Sequence, residues 1–135
     1  MKKLLYPILV TLLMIHPGYG QKIKDVEIVL ECVEYIGNDR YAANFGYNNP
    51  NKTEVVVAEA NSLLIHEEGQ PVEKALNKFL PGRQANAFRG EFSAQSRVQW
   101  QVTLANGTVK KVTANINSNH CTDNSNILPY YPPPA

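Results

Sequence analysis

Cys32 and Cys121 are the residues of this 135-residue chain whose chemistry is most sharply defined. Two cysteines can hold a metal, act as thiols or form a bridge. Zinc sites use closely spaced ligand pairs, and these two stand far apart. Beyond the first twenty residues only His66 and His120 could join them. No metal site and no cofactor is therefore expected. Free buried thiols are the alternative to a bridge. The start of the chain favours the bridge: residues 1–20 read as a secretory signal peptide, with Lys2 and Lys3, an apolar stretch over 4–15 and the small-residue exit Gly18-Tyr19-Gly20. Exported chains meet oxidising conditions, so a Cys32–Cys121 disulfide is predicted. Closing a loop of about 90 residues is worth roughly 4.5 kcal/mol on the chain-entropy model.

Other constellations are weaker. His66-Glu67-Glu68 offers an imidazole beside two carboxylates, but adjacent residues on a strand point to opposite faces and do not converge. There is no Gly-x-Ser-x-Gly elbow and no nucleophile–base pairing to read. Asp123 and Glu31 lack the Asp-x-Asp-x-Asp spacing of a calcium loop. The expectation is a protein without enzymatic activity. Aromatic rings and amides do cluster at Phe45-Gly46-Tyr47-Asn48-Asn49-Pro50-Asn51. Tyr47, Asn48, Asn49 and Asn51, with Arg83 in the Pro81-Gly82-Arg83 turn, form the candidate binding surface for a glycan or a protein. The competing reading makes Phe45 a core residue, Gly46 a bulge and the asparagines a turn. Tyr130-Tyr131-Pro132-Pro133-Pro134 resembles a polyproline-type ligand or a frayed end.

Composition narrows the class. The chain has 13 basic and 12 acidic side chains; losing Lys2 and Lys3 with the leader leaves 11 against 12, a net of −1. A near-neutral balance argues against a nucleic-acid partner, which needs a concentrated basic face. Residues 21–135 contain no apolar run near the roughly 20 residues of a membrane span, so none is expected in the mature chain. Three segments follow: the leader at 1–20, one domain at 21–122, and a proline-rich tail at 123–135 that cannot form a ladder.

Period-two alternation between turn residues organises the domain. Residues 26–33 form the first strand, with Ile28, Leu30 and Cys32 on one face, which points the cysteine inward. Gly37-Asn38-Asp39 turns the chain into 40–47, where Tyr41, Ala43, Phe45 and Tyr47 share a face. Short strands follow at 54–58 and 62–66. The Glu67-Glu68-Gly69-Gln70-Pro71 stretch breaks the pattern, and 72–78 reads as one helical turn or a loose crossover. Residues 87–92 place Phe88 and Phe92 together. Residues 97–104 alternate most cleanly, with Val98, Trp100, Val102 and Leu104 against Arg97, Gln99, Gln101 and Thr103. Asn106-Gly107 signals a two-residue hairpin into 108–116. The fold class is all-β: an antiparallel Ig-like β-sandwich of seven to eight strands with one disulfide and a core of Leu30, Phe45, Phe88, Val98, Trp100 and Val102.

The run Leu30-Glu31-Cys32, then Tyr41-Ala42-Ala43-Asn44-Phe45-Gly46-Tyr47-Asn48-Asn49, Gln70-Pro71, Phe79-Leu80-Pro81-Gly82-Arg83 and Val98-Gln99-Trp100 carries a likeness. It resembles a family of Ig-like β-sandwich modules of secreted and surface-exposed bacterial proteins, over about residues 30–114. The segment 60–66 departs from that pattern, as does the end of the tryptophan strand, and the chain holds one copy where such modules often stand in tandem. The resemblance implies an extracellular sandwich and no catalytic residues. Secretion to the cell exterior, with recognition or adhesion toward a protein or glycan, is the first functional expectation. Self-assembly into a matrix or filament by edge-strand addition is the second, and a small secreted hydrolase the third.

Overall fold

The computed structural model describes residues 22–67 and 72–122, so the leader, the Gln70-Pro71 turn and the tail lie outside the described residues. Nine strands are present among them: β1 (Glu27–Gly37), β2 (Arg40–Asn49), β3 (Val55–Val56), β4 (Ser62–His66), β5 (Val72–Lys74), β6 (Lys78–Phe79), β7 (Gly82–Ser93), β8 (Val98–Thr103) and β9 (Val109–Ala114). One three-residue 3₁₀ turn spans Glu59–Asn61, and no described helix is long and apolar enough to cross a membrane. The strands form an antiparallel sheet β1-β2-β7, a second antiparallel sheet β5-β4-β8-β9 and a small β3-β6 ribbon. The all-β class and the disulfide stand as expected. The stretch at 72–78 holds no helical turn: β5 pairs with β4 through Leu63↔Lys74 and Ile65↔Val72.

The two larger sheets face each other across an aromatic core. Phe45, Val98, Trp100 and Val102 are fully buried, and Leu30 and Phe88 pack against them half-buried. Trp100 is central, with Phe88 at 5.3 Å, Phe45 at 5.5 Å and Phe79 at 6.2 Å between ring centroids. Such pairs add roughly 0.5–1.5 kcal/mol each beyond the area they bury. The indole also carries a polar handle. Its Nε1–H donates to the buried Ser62 Oγ at 2.9 Å, and that hydroxyl donates to the half-buried Leu76 O at 2.6 Å.

The turns obey dihedral demands. Asn38 and Asp39 both take positive φ, +54° and +60°, so a tight two-residue turn joins Gly37 to Arg40. The Asn106-Gly107 signal resolves differently. Only Gly107 has positive φ, Gly107 N–H donates to Leu104 O, and Leu104 N–H donates to Thr108 O, which makes a three-residue loop. The Asn106 side chain accepts from Thr108 N–H at 2.9 Å, and its own backbone stays out of the left-handed region the two-residue turn needs.

Cys32 does not point into the core. β1 carries one extra residue between Leu30, opposite Phe45, and Cys32, opposite Asn44. One inserted residue reverses the alternation. Leu30 and Val33 therefore both face inward, and Cys32 lies half-buried on the outer face. There it bonds Cys121, with 4.9 Å between the Cα atoms. The bridge fixes a short C-terminal segment to the edge of β1, where Val33 N–H donates to Asn119 O and Cys121 N–H donates to Val33 O, both at 2.8 Å.

Two outcomes test this packing. Ser62→Ala leaves the fully buried Trp100 N–H without its acceptor and is expected to cost about 1–3 kcal/mol in urea denaturation; an unchanged midpoint would show that this hydrogen bond contributes nothing to stability. Replacing both cysteines by alanine should lower stability by about 4–5 kcal/mol. Reductant added to the wild type should reproduce most of that loss.

Candidate binding surfaces

The aromatic-amide segment picked out by sequence folds into the scaffold. Tyr47 is buried on the inner face of β2, and its hydroxyl accepts from Leu80 N–H at 2.8 Å. Asn49 is 1% exposed. Its amide donates to Phe79 O at 2.8 Å and Thr53 O at 3.0 Å, and its oxygen accepts from the backbone and side-chain nitrogens of Asn51. Asn51 in turn donates to Lys24 O and accepts from Lys24 N–H, so its amide imitates a backbone strand pair. The two asparagines thus tie the N-terminal segment, the loop after β2 and β6 together. Asn48 lies in register between Glu27 and Arg83, half-buried. Of the five candidate surface residues, Tyr47 and Asn49 are withdrawn from solvent and Asn51 is committed to the backbone.

Arg83 belongs to an outer-face cluster over Gly46. Its Nη2 donates to Glu31 Oε1 at 2.9 Å and lies 2.8 Å from Oε2, and its Nη1 donates to Gln84 O at 3.0 Å. Glu31 is the inserted residue of β1, and its carboxylate lies directly above Gly46. A Cβ there would overlap that carboxylate, the Gln84 carbonyl and the Arg83 guanidinium. Only glycine lets the bulge and the ion pair coexist with the strand.

The same outer face holds Asn44, whose amide donates to Glu34 Oε1 at 3.0 Å and approaches Cys121 Sγ at 3.4 Å and Cys32 Sγ at 3.8 Å. Arg89–Glu34 at 3.5 Å and Arg40–Glu91 at 3.9 Å complete it. Along the side of the molecule, Lys110 of β9 reaches Glu27 at 2.8 Å and Asp25 at 3.6 Å. The hydrogen bond its ammonium donates to the Glu27 carboxylate, together with the charges of Glu27 and Asp25, holds it above the ordinary lysine range.

Among the described residues, His66 and Glu67 do not converge on one site. His66 Nε2 lies 2.8 Å from Glu73 Oε2, while Glu67 is exposed with its N–H on Arg97 O. Glu68 lies outside the described residues. No group of three or more His, Cys, Asp or Glu among the described residues is placed to hold a metal ion.

Sequence reasoning passed over the outer face of the second sheet. In β4, Ser62 and Leu64 are buried, so Leu63 and Ile65 turn outward. The register puts Lys74, Leu63, Gln101 and Lys111 in one row and Val72, Ile65, Gln99 and Thr113 in the next. Gln99 Nε2 donates to Thr113 Oγ1 at 3.2 Å. Val72 and Val109, at opposite margins, are 49% and 46% exposed. The result is a flat face with aliphatic side chains at its centre and amides and lysines around them. Its signal was the pair Leu63 and Ile65 alternating with Ser62 and Leu64, which makes β4 apolar on both sides.

The chain matches no protein-family model, no curated protein and no solved structure.

Asn49→Ala removes four internal hydrogen bonds, and a loss of about 1–3 kcal/mol in thermal or urea unfolding is expected. An unchanged midpoint would return Asn49 to the surface-binding reading.

Proposed function

We propose that the protein is a secreted, non-enzymatic Ig-like β-sandwich that recognises a protein partner at the cell exterior. The observation that carries this reading is the outer face of β5-β4-β8-β9. An aliphatic centre of Leu63 and Ile65, flanked by Gln99, Gln101, Lys74 and Lys111, has the composition of a protein contact: apolar inside, polar around it. Sugar-binding faces usually present aromatic rings, and the rings near the former candidate patch are turned into the core.

The strand order supports the Ig-like part of the proposal. With β1, β2 and β7 read as A, B and E, and β5, β4, β8 and β9 as C′, C, F and G, the sheets become A-B-E and C′-C-F-G. That agrees with the resemblance to modules of bacterial surface proteins. The disulfide differs from the inter-sheet bridge of antibody domains, because it joins β1 to a segment beyond β9. An oxidising exterior suits such a bond. Assembly by strand addition is the second reading, and the outer edge of β7, which no strand among the described residues pairs, favours it.

The recognition reading is tested by adding labelled protein to cells that export it. Saturable retention is expected, abolished by protease treatment of the cells and by the pair Leu63→Lys and Ile65→Lys, with unfolding midpoints confirming that the variant folds. Retention that survives the substitutions, or that a glycosidase removes and a protease does not, would overturn it. So would the absence of saturable retention.

A further inference from the structure

β7 ends its sheet, and among the described residues no strand pairs with its outer edge. Long exposed edges invite another chain, and proteins commonly guard them with bulges or unmatched charge. A bulge is present here, but it covers only half the strand. Phe45 stands opposite Phe88 and Tyr47 opposite Gln84, so residues 85–87 loop out, with Asn86 at φ +51°. Residues 88–93 remain regular, with a constant register against β2 from Ser93↔Arg40 to Phe88↔Phe45.

The direction of the backbone groups on that half follows from one bond. Ala94 N–H donates to Asp39 O at 2.8 Å, one step beyond the Ser93↔Arg40 pair. Antiparallel strands alternate the side to which their N–H and C=O groups point. Phe88, Gly90 and Phe92 therefore spend theirs on β2, and Arg89 and Glu91 offer theirs to the open edge. The side chains of Arg89 and Glu91 project on the outer face, 49% and 53% exposed.

The segment Phe88-Arg89-Gly90-Glu91-Phe92 is a palindrome in size with opposite charges about its centre. We propose that two copies of this chain pair through β7, antiparallel, about a two-fold axis at Gly90. Arg89 of each copy then stands opposite Glu91 of the other. Both residues present their edge-facing N–H and C=O, so each pair closes two backbone hydrogen bonds with Cα atoms about 5.5 Å apart. Each pair also sets opposite charges directly across from one another. On the inner face Phe88 meets Phe92 of the partner subunit, and Gly90 meets its own image.

The register is determined by charge. An axis at Arg89 would oppose two arginines, an axis at Glu91 two glutamates, and a one-residue slip would turn one copy's apolar face outward. The existing contacts of Arg89 with Glu34 (3.5 Å) and of Arg40 with Glu91 (3.9 Å) are long and exposed, so re-pairing costs little. An isologous contact closes on itself and yields a six-stranded sheet across a dimer, not a filament. This inference rests on the strand-addition reading and is independent of the recognition face.

Sedimentation of the purified protein should show a monomer–dimer equilibrium. Arg89→Glu and Glu91→Arg should each weaken dimerisation about tenfold or more, since both reciprocal contacts become repulsive. The decisive step is mixing the two variants. One copy then carries two acids and the other two arginines, so a mixed dimer should form where neither variant dimerises alone. A wild type that stays monomeric at all concentrations would overturn both the dimer and the strand-addition reading. Open-ended polymers would overturn the closed dimer alone. Single variants that dimerise like the wild type, or a mixture that stays monomeric, would remove β7 as the interface.

Discussion

The position of Trp100 is the constraint on which the rest of the domain depends. A tryptophan can be buried completely only if its N–H finds an acceptor. Ser62 supplies one from the neighbouring strand, and its own hydroxyl donates a hydrogen bond to Leu76 O. That chain of two bonds sets β4 against β8 in register and draws in the 75–77 segment, whose Ala75 N–H bonds Ser62 O. The rings of Phe45 and Phe88 close on the indole from the opposite sheet. Gly90 completes the fit, because a Cβ there would sit 2.7 Å from a Leu64 methyl. The same strand thus provides an aromatic contact and a bare backbone within three residues.

The two faces of the molecule arise from how each sheet treats irregularity. The β1-β2-β7 sheet takes up an extra residue at Glu31 and a looped stretch at 85–87, and both displacements lie beside Gly46. Its outer surface is consequently rich in ion pairs and carries the disulfide. The β5-β4-β8-β9 sheet keeps a constant register through β4, β8 and β9, which leaves the rows of its outer surface unbroken. Irregular backbone and charge go together on one side, and regular backbone and aliphatic surface on the other. That division supports different partners for different faces.

What the sequence made legible was periodicity. Residues 98–104 alternate so strictly that the strand, its buried face and the central role of Trp100 could be read directly, and the Asn38-Asp39 turn was equally plain. The inward orientation assigned to Cys32 failed because alternation is blind to insertion: Leu30-Glu31-Cys32-Val33 reads as a continuous strand until the register against Asn44 and Phe45 is known. Asn49 misled for another reason. Polar residues beside a proline signal an exposed turn, and nothing local announces that Phe79, thirty residues on, will need a donor. The 72–74 strand was hidden because Val72-Glu73-Lys74 has no alternation of its own and is held by β4. The edge charges at Arg89 and Glu91 were visible as letters, but their meaning required knowing that β7 has no outer neighbour among the described residues.

The placement of the disulfide has a mechanical consequence. Cys32 and Cys121 enclose β2 to β9 and most of β1 in one covalent ring. A pull on the two ends of the chain enters the ring at these two sulfurs and crosses by the bond between them. Within the described residues only 22–31 and the step after Cys121 lie on the load path. The ladders formed by residues 32–121 stand in parallel with a covalent link, and only the 27–30 part of the β1–β2 ladder lies on the load path. Stretching draws on the start of β1, including the Lys24 clasp to Asn51, while β2, β7, Trp100 and the β5-β4-β8-β9 sheet lie inside the ring. Everything between Cys32 and Cys121 is therefore shielded from end-to-end extension by a covalent stop.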